Sequence, residues 1–248
     1  MATITSPDPT MTVSTDPMRR TSRAAGILYL LTFVSMPTLA LYQDARNEAG
    51  FVLGAGSGSG VLLAAFSEVV VAVTCIGTAV VLFPVIKRQS ETAALGFVAS
   101  RVAEGALIIV GVVSVLTLFT LRTDVAGTAD ADPASLVTTG LALSAGYDWT
   151  FLLSQSLMPV FNALFLGYAL YRSGLVPRIL PTLGLIGAPL LLASDVAVFF
   201  GVYDRAAPIA ILAAAPIAVW EFSLGVYLVV RGFRPSAVAA LPPMGTVR

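Results

Sequence analysis

The stretch SRVAEGALIIVGVVSVLTLF, residues 100–119, is apolar enough to cross a lipid bilayer, yet it contains Arg101 and Glu104. A spanning helix needs roughly 20 predominantly apolar residues. The whole chain is 57% hydrophobic and only 11% charged, which leaves too few polar side chains to cover a soluble domain of 248 residues. Because lipid offers the backbone no hydrogen-bond partners, the composition predicts an all-α, polytopic membrane helix bundle.

Apolar runs bounded by charges, Gly or Pro recur along the chain and predict six transmembrane helices. We expect them at about residues 24–42, 61–86, 93–121, 147–171, 178–200 and 208–230. They form one transmembrane domain over residues 19–234, and we interpret 24–42 as an uncleaved span because no small-residue cleavage site follows it. Residues 1–18, rich in Thr, Ser, Pro and Asp, are predicted to be a disordered polar tail, and residues 235–248 a flexible C-terminal tail.

The distribution of Lys and Arg predicts the orientation, because cytoplasmic loops carry the excess of these residues. Six crossings place ten of them on the side of the two termini: Arg19, Arg20, Arg23, Lys87, Arg88, Arg172, Arg178, Arg231, Arg234 and Arg248. The other side has only Arg46, Arg122 and Arg205. We therefore expect both termini in the cytoplasm. Arg172 and Arg178, which flank the start of the fifth span, are expected to face anionic lipid headgroups.

Several function classes are disfavoured by what the chain lacks. It has no His, which removes Ser-His-Asp and Cys-His catalysis, HExxH zinc proteases and His-ligated haem. Its net charge is zero and Lys87 is its one lysine, so no nucleic-acid partner is expected. The sequence GAGSGSG at 54–60 lacks the preceding strand and the following Gly-Lys-Ser/Thr of a phosphate loop, and we interpret it as a flexible loop. No cofactor, metal site or catalytic residue is predicted.

Arg101, Glu104 and Glu68 fall near the middle of the bilayer when positions along their helices are converted to depth. A charge there costs at least ~2.5–3.5 kcal/mol, so such residues face the bundle interior and pair. Arg101 and Glu104 are three residues apart, on one helix face, and can pair with each other. We predict that Arg101 turns into the bundle and is shared by Glu104 and at least one of Glu68 and Glu221.

Carboxylates outnumber cations in this interior, so at least one of them is expected to hold a proton near neutral pH. The fourth span adds amide side chains, and Pro159 within it frees the backbone carbonyl of Gln155. The predicted intramembrane polar cluster comprises Glu68, Arg101, Glu104, Gln155, Asn162, Asp195 and Glu221. A protonatable cluster in a membrane is typical of a proton relay or ligand site, but the same groups can also serve as hydrogen-bonded glue between helices.

Three segments resemble a known family: RAAGILYLLTF in the first span, GYALYRSGLVPRILPTLGLIG between the fourth and fifth, and WEFSLGVYLVVRGF in the last. With Arg101 in the third span, they resemble the bacterial domain-of-unknown-function 4386 family of integral membrane proteins over residues 20–234. The resemblance implies a multi-pass protein of the bacterial inner membrane and supplies no activity. It marks Arg101, Arg172, Pro177, Arg178, Asp195 and Glu221 as family-type positions. This chain has GYDWT, with Asp148, where many members have a His.

Two main hypotheses for function follow, and a third ranks last. The first is a small transporter or ligand-binding membrane protein that uses Arg101 and the buried carboxylates, with a small molecule or a proton as its ligand. The second is a structural or accessory membrane subunit whose buried charges only fix helix packing. An intramembrane enzyme ranks last, because the sequence has no nucleophile-base set. The lipid bilayer is the one partner that the composition predicts.

Overall fold

The computed structural model describes residues 16–34 and 36–242, and within these ranges the chain forms helices and no β-strand. The helices are α1 Asp16–Leu31, α2 Gln43–Asn47, α3 Val61–Ile86, α4 Glu91–Thr120, α5 Pro133–Phe151, α6 Met158–Ser173, α7 Ile179–Phe199, α8 Pro208–Val230 and α9 Pro235–Ala240. Short 3-10 helices occupy Thr38–Tyr42 and Phe51–Leu53. Turns of π-helix extend α4 over Leu121–Val125 and join α5 to α6 over Leu152–Leu157.

Five continuous helical segments are long and apolar enough to cross a membrane: Val61–Ile86, Glu91–Val125, Pro133–Ser173, Ile179–Phe199 and Pro208–Val230. Their outer faces carry large exposed apolar side chains, such as Phe66 on α3, which is 66% exposed, and Leu212 on α8, which is 72% exposed. Faces of this kind suit lipid and would be costly in water. The fold is therefore that of an all-helical, multi-pass membrane protein, and the expected spans from the second to the sixth each fall on one of these segments.

The expected first span, 24–42, is not one continuous helix. α1 ends at Leu31, turns follow, and a 3-10 helix runs from Thr38 to Tyr42. With 16 residues, α1 is ~24 Å long, which is less than the ~30 Å hydrocarbon core. The helical ladder is lost from Phe33, whose N–H bonds to the carbonyl of Leu30, three residues back. Pro37 then prevents the helix from resuming, because it has no N–H to donate to the carbonyl of Phe33 and its ring crowds the preceding turn. The carbonyl of Phe33 accepts the N–H of Met36, three residues on, at 3.2 Å.

The expected fourth span, 147–171, begins earlier than predicted, at Pro133. The Asp132 carboxylate caps this start by accepting the Ser135 N–H at 3.0 Å, and Pro133 occupies the first helical turn, where its missing N–H costs nothing. Phe199, at the end of α7, packs edge-to-face on Trp149, with 5.6 Å between ring centroids. Residues 133–148 therefore extend beyond the end of α7.

Two apolar clusters form the core, one above the other along α3 and α4. The first contains Leu82, Phe97 and Trp220, and the second contains Cys75, Ile108 and Tyr147. Close helix contacts hold them: a methyl group on Gly26 of α1 would lie 2.6 Å from the Gly225 carbonyl oxygen of α8. Small residues allow such approach between membrane helices. Arg101 and Glu104 lie on α4 between the stretches that belong to the two clusters.

The helix ends lie on two opposite sides of the bundle, and hydrogen bonds show which ends lie together. At one end, Arg19 donates to the Val230 carbonyl and the Arg234 N–H donates to the Leu175 carbonyl. This end, called the basic side below, carries Arg19, Arg20, Arg23, Lys87, Arg88, Arg172, Arg178, Arg231 and Arg234. The opposite end, called the acidic side, is formed by residues 43–60, 121–133 and 200–207 and carries Asp44, Glu48, Asp124, Asp130, Asp132 and Asp204.

The glycine-rich segment 54–60, expected to be a flexible loop, is folded around Arg122. The two terminal nitrogens of Arg122 donate to the carbonyls of Phe51, Gly54, Ala55 and Gly56, at 2.7 to 3.2 Å. Gly54 and Gly56 have positive φ values of 104° and 66°, which side chains other than glycine rarely adopt. The loop thus presents carbonyl oxygens to a cation, which is the opposite of a phosphate-binding loop.

Residues 235–242, expected within a flexible C-terminal tail, pack on the basic side. Pro235–Ala240 forms α9, Leu241 is buried, and Arg88 donates to the carbonyls of Leu241 and Pro242 at 3.1 and 2.7 Å. Residues 243–248 of that tail lie outside the described residues. At the other end, α1 begins at Asp16, inside the predicted tail 1–18, whose residues 1–15 also lie outside the described part.

Candidate functional site

Arg101 is buried in the centre of the bundle, where it bridges two helices. Its side chain is 1% exposed. One terminal nitrogen donates to Oε2 of Glu104 on the same helix at 3.1 Å, and the other donates to Oε1 of Glu221 on α8 at 2.6 Å. Charge-assisted bonds of this kind are the strong ones in proteins. The structure thus gives the predicted Arg101 pairing with Glu104 and with Glu221.

Further side chains surround this ion pair. The Asn162 amide of α6 donates to Oε2 of Glu104 at 2.7 Å, and Ser100 donates to the Asn162 carbonyl oxygen at 2.6 Å. The guanidinium lies over the Tyr29 ring of α1, 4.9 Å from its centroid. A terminal nitrogen of Arg101 also lies 3.6 Å from the Cys75 sulfur of α3. Five helices, α1, α3, α4, α6 and α8, therefore converge on Arg101, which makes it the centre of the bundle's polar interior.

Glu68 lies in a separate polar group and has no direct bond to Arg101. Its Oε1 accepts the Tyr147 hydroxyl at 3.0 Å and the Gln155 amide at 2.7 Å, while its Oε2 is buried without a hydrogen-bond partner in the described part of the chain. Tyr147 was not among the predicted site residues, since nothing in the sequence places a phenol of α5 opposite α3. The predicted cluster therefore forms two groups, one around Arg101 and one around Glu68.

The π-helical turn Leu152–Leu157 positions the polar residues of the fourth span. Pro159 lies just after it and cannot donate to the carbonyl of Gln155, and a wider turn is a common response to a missing bond in the helical ladder. Within this turn Gln155 reaches Glu68, whereas its neighbour Ser156 donates to Oδ1 of Asp195 on α7 at 2.6 Å. Turns of this type occur frequently at functional sites.

Asp195 has an incomplete set of partners. It is 6% exposed, and Ser156 supplies its one hydrogen bond. Its second carboxylate oxygen, Oδ2, is buried without a partner among the described residues. Buried carboxylate oxygens are normally satisfied, so a group left in this state calls for a ligand, a water or a proton. Ser156 was not among the predicted site residues.

A cavity of about 480 Å³ extends from Arg101 to Asp195. Arg101, Glu104, Glu221, Gln155, Ser156 and Asp195 line it on the polar side. Its apolar wall includes Phe33, Met36 and Leu39, which follow the end of α1, together with Phe151 and Leu191. A mostly apolar cavity with a few convergent polar groups is the usual form of a small-molecule site.

A second, more polar cavity of about 690 Å³ lies on the acidic side and is called the vestibule below. Asp148 accepts bonds there from Arg46 at 2.9 Å and from Arg205 at 3.1 Å. Arg205 and Val198 line both cavities, so these residues form the partition between them. Burial lowers the pKa of Arg205 from its ordinary value, and the adjacent Arg46 guanidinium lowers it further. In the sequence Arg46 and Arg205 contributed only to the charge count of their side.

The remaining predicted residues lie away from the cavity. Arg172 and Arg178 are exposed on the basic side, and the Arg178 guanidinium lies 5.4 Å from the centroid of the Tyr171 ring. In the described part of the chain, no group of three or more His, Cys, Asp or Glu side chains is arranged to hold a metal ion.

Comparison with known proteins gives a family and no activity. A family model described as "Domain of unknown function (DUF4386)" matches residues 24–232, which include every residue that lines the two cavities. No curated protein and no solved structure matches the chain. Since the match covers most of the sequence, the chain belongs to the DUF4386 family.

Proposed function

We propose that this protein binds a small molecule in the cavity beside Arg101, within the bacterial inner membrane, and carries that molecule or a proton across it. The observation that carries the proposal is the cavity itself, which combines an apolar wall with Arg101, Glu104, Glu221 and Asp195. Charged side chains at membrane depth are costly, and they are most often kept where a substrate, ion or proton passes.

The break after α1 supports transport. α1 reaches Tyr29, which lies against Arg101, and then gives way to turns whose residues Thr32, Phe33 and Met36 line the cavity. Irregular backbone at membrane depth is tolerated only where it is buried in protein or lines a cavity. Interrupted helices beside a central site are a recurrent feature of transporters.

The interrupted segment formed by α1 and residues 32–42 is counted as one crossing in the proposed topology of six. In this arrangement α1 forms the first half of a crossing, and residues 32–42 form the second half. The excess of Lys and Arg on the basic side favours a cytoplasmic location for that side and therefore for both termini. Arg172 and Arg178 would then contact anionic lipid headgroups at the cytoplasmic face.

The vestibule supplies a route to the cavity from the acidic side. Arg205 is held at the partition by Asp148 and by the Phe151 ring, whose centroid lies 4.2 Å from the guanidinium carbon. Movement of Arg205 away from Val198, the other residue of the partition, would open a path from the vestibule to the cavity that Asp195 lines. The polar vestibule would concentrate a charged solute before it enters the apolar cavity.

The alternative function is a structural or accessory membrane subunit, in which buried charges only fix helix packing. The neutralisation of Arg101 by two carboxylates favours it, because such a set holds α4 and α8 in register without any ligand. This alternative gives no reason for the cavity or for the unpartnered Oδ2 of Asp195.

The two functions predict different effects on ligand binding when the cavity is blocked. We would screen purified protein in nanodiscs against a library of small metabolites and record thermal stabilisation. Ala218 lines the cavity, and its neighbour Val219 is 53% exposed on the outer face of the same helix. The proposed function predicts that Ala218→Trp abolishes the stabilisation by any hit, while Val219→Trp leaves it unchanged. A library without hits, or hits that bind both variants equally, would favour the structural subunit.

A further inference from the structure

We infer that the ligand carries an ammonium group on an apolar body, and that Asp195 anchors this group. The inference rests on the proposed function and names the chemical class that the cavity selects. Its starting point is the geometry of Asp195, which lines the cavity and is more than nine-tenths buried. Its Oδ2 has no partner in the described chain, although Oδ1 is bonded to Ser156.

The charges that face the cavity explain why the missing group should be a cation. Arg101 is already engaged by two carboxylates, those of Glu104 and Glu221. The second guanidinium at the cavity, that of Arg205, is bound to Asp148 on the vestibule side. Asp195 therefore has no counter-ion of its own among the described side chains. A buried carboxylate without a counter-charge is strongly unfavourable, and an ammonium N–H would supply both the charge and the missing hydrogen bond.

The end of α1 adds to this preference. Thr32 and Phe33, which directly follow α1, line the cavity, so the carbonyl end of the helix lies beside it. The carbonyls of the helix's last turn already accept the N–H groups of Thr32, Phe33 and Val34, so only the aligned peptide dipoles of the helix add a weak preference for a cation. An anionic ligand would meet this end and three carboxylates, while the terminal nitrogens of Arg101 are already bound to two of those carboxylates and Arg205 is bound to Asp148.

The apolar side chains that line the cavity indicate what the rest of the ligand is like. Phe33, Met36, Leu39, Phe151 and Leu191 face the same space and offer no hydrogen bonds from their side chains. An apolar body of one aromatic ring and a short alkyl chain fits within about 480 Å³. A free amine and an aminophospholipid both combine an ammonium group with an apolar body, so the test must separate these two sources.

The test uses three probes of one shape and different charge: 4-phenylbutylamine, 4-phenylbutan-1-ol and 4-phenylbutyrate. Binding to the full chain in phosphatidylcholine nanodiscs is measured by calorimetry, with protein-free nanodiscs subtracted. We expect the amine to bind at least roughly tenfold more tightly than the alcohol, as a hydrogen bond to a charged group implies. The acid should bind more weakly than both. Equal or tighter binding of the alcohol or the acid would overturn the ammonium inference while leaving the proposed function intact.

Two variants assign the effect to Asp195. Asp195→Asn keeps the shape of the side chain and should weaken amine binding by roughly tenfold or more while changing alcohol binding less than twofold. Asp124→Asn, an exposed aspartate on the acidic side, should leave both unchanged. Should Asp195→Asn fail to fold, the probe comparison on the unaltered chain still decides. Amine binding that survives Asp195→Asn at full strength would overturn the role of Asp195.

A lipid arm separates the two sources. The amine titration is repeated in nanodiscs of phosphatidylethanolamine and of phosphatidylglycerol. Competition by phosphatidylethanolamine that disappears in Asp195→Asn identifies a lipid ammonium as the ligand, whereas equal amine binding in both lipids supports a free amine. If none of the three probes binds in any lipid, the ammonium inference fails, and the metabolite screen with Ala218→Trp and Val219→Trp decides separately whether the proposed function stands.

Discussion

Replacing Arg101 is the perturbation whose consequences the structure specifies most fully. Arg101→Met keeps an unbranched side chain of similar length but removes both charged hydrogen bonds. Glu104 then keeps one donor, the Asn162 amide at 2.7 Å, whereas Glu221 loses the donor that Arg101 gave it and gains no other. The two carboxylates should therefore respond differently.

The expected cost can be bounded from both sides. Leaving one partner of a buried ion pair unpaired typically costs ~3–5 kcal/mol. A stranded glutamate can instead take up a proton, which at pH 7 costs ~3.7 kcal/mol for a glutamate with the ordinary pKa of ~4.3. We therefore expect Arg101→Met to lower the free energy of unfolding by ~3–4 kcal/mol, with most of the loss arising at Glu221.

Two double variants test that division. Arg101→Met with Glu221→Gln should recover most of the lost stability, because a neutral amide replaces the stranded carboxylate. Arg101→Met with Glu104→Gln should recover clearly less, since Glu104 still accepts the Asn162 N–H. The measurement is unfolding by sodium dodecyl sulfate in mixed micelles at pH 7, followed by tryptophan fluorescence. Equal recovery by the two double variants, or recovery by neither, would refute the reasoning.

Further predictions concern the membrane arrangement and the packing. Reporter fusions after residues 50, 128 and 204 should read periplasmic, and fusions after residues 90, 175 and 240 should read cytoplasmic. A reversed pattern would overturn the topology. Replacing Arg172 and Arg178 together by Ala should reduce the anionic lipid that native mass spectrometry finds on the protein, and equal retention would contradict a headgroup role. Gly26→Val should lower stability in the same unfolding assay by ~1–3 kcal/mol, because its methyl groups meet the Gly225 carbonyl, and an unchanged midpoint would contradict that close contact. Arg122→Ala should free the glycine-rich loop and speed chymotrypsin cleavage at Phe51, and an unchanged cleavage rate would mean that Arg122 does not hold the loop.

Helices α3, α7 and α8 were predictable to within a residue or two because each is a long apolar run that contains a single carboxylate and has a charge, Gly or Pro at both ends. Length and hydropathy describe such segments completely. The first span was not predictable in this way, since its hydropathy is high throughout 24–42 and does not register the backbone break between Leu31 and Thr38. The start of α5 at Pro133 was missed for the opposite reason. That part of the helix is less apolar, and it packs on residues such as Ala45 and Val52, far away in the chain.

The site was predictable where its geometry is local. Arg101 and Glu104 are three residues apart on one helix, and the need for charge balance indicated a second acid. The choice of Glu221 over Glu68 depends on how α3 and α8 are rotated towards α4, which residue spacing does not encode. The π-helical turn is a further case, because its extra residue changes which side chains of the fourth span face inward. The bonds from Gln155 to Glu68 and from Ser156 to Asp195 both depend on that turn.

Thiol labelling in intact cells tests most directly whether a solvent-accessible cavity reaches the polar centre of the bundle. In a Cys75→Ser background, Ala218→Cys reports on the cavity, Val219→Cys on the outer face of the same helix, and Gly127→Cys on the exposed acidic side. We predict that the membrane-impermeant cation 2-(trimethylammonium)ethyl methanethiosulfonate modifies Ala218→Cys and Gly127→Cys but not Val219→Cys. We also predict that 4-phenylbutylamine protects only Ala218→Cys. Labelling of Gly127→Cys with none at Ala218→Cys, or labelling of Ala218→Cys that the amine does not slow, would contradict the binding cavity described above.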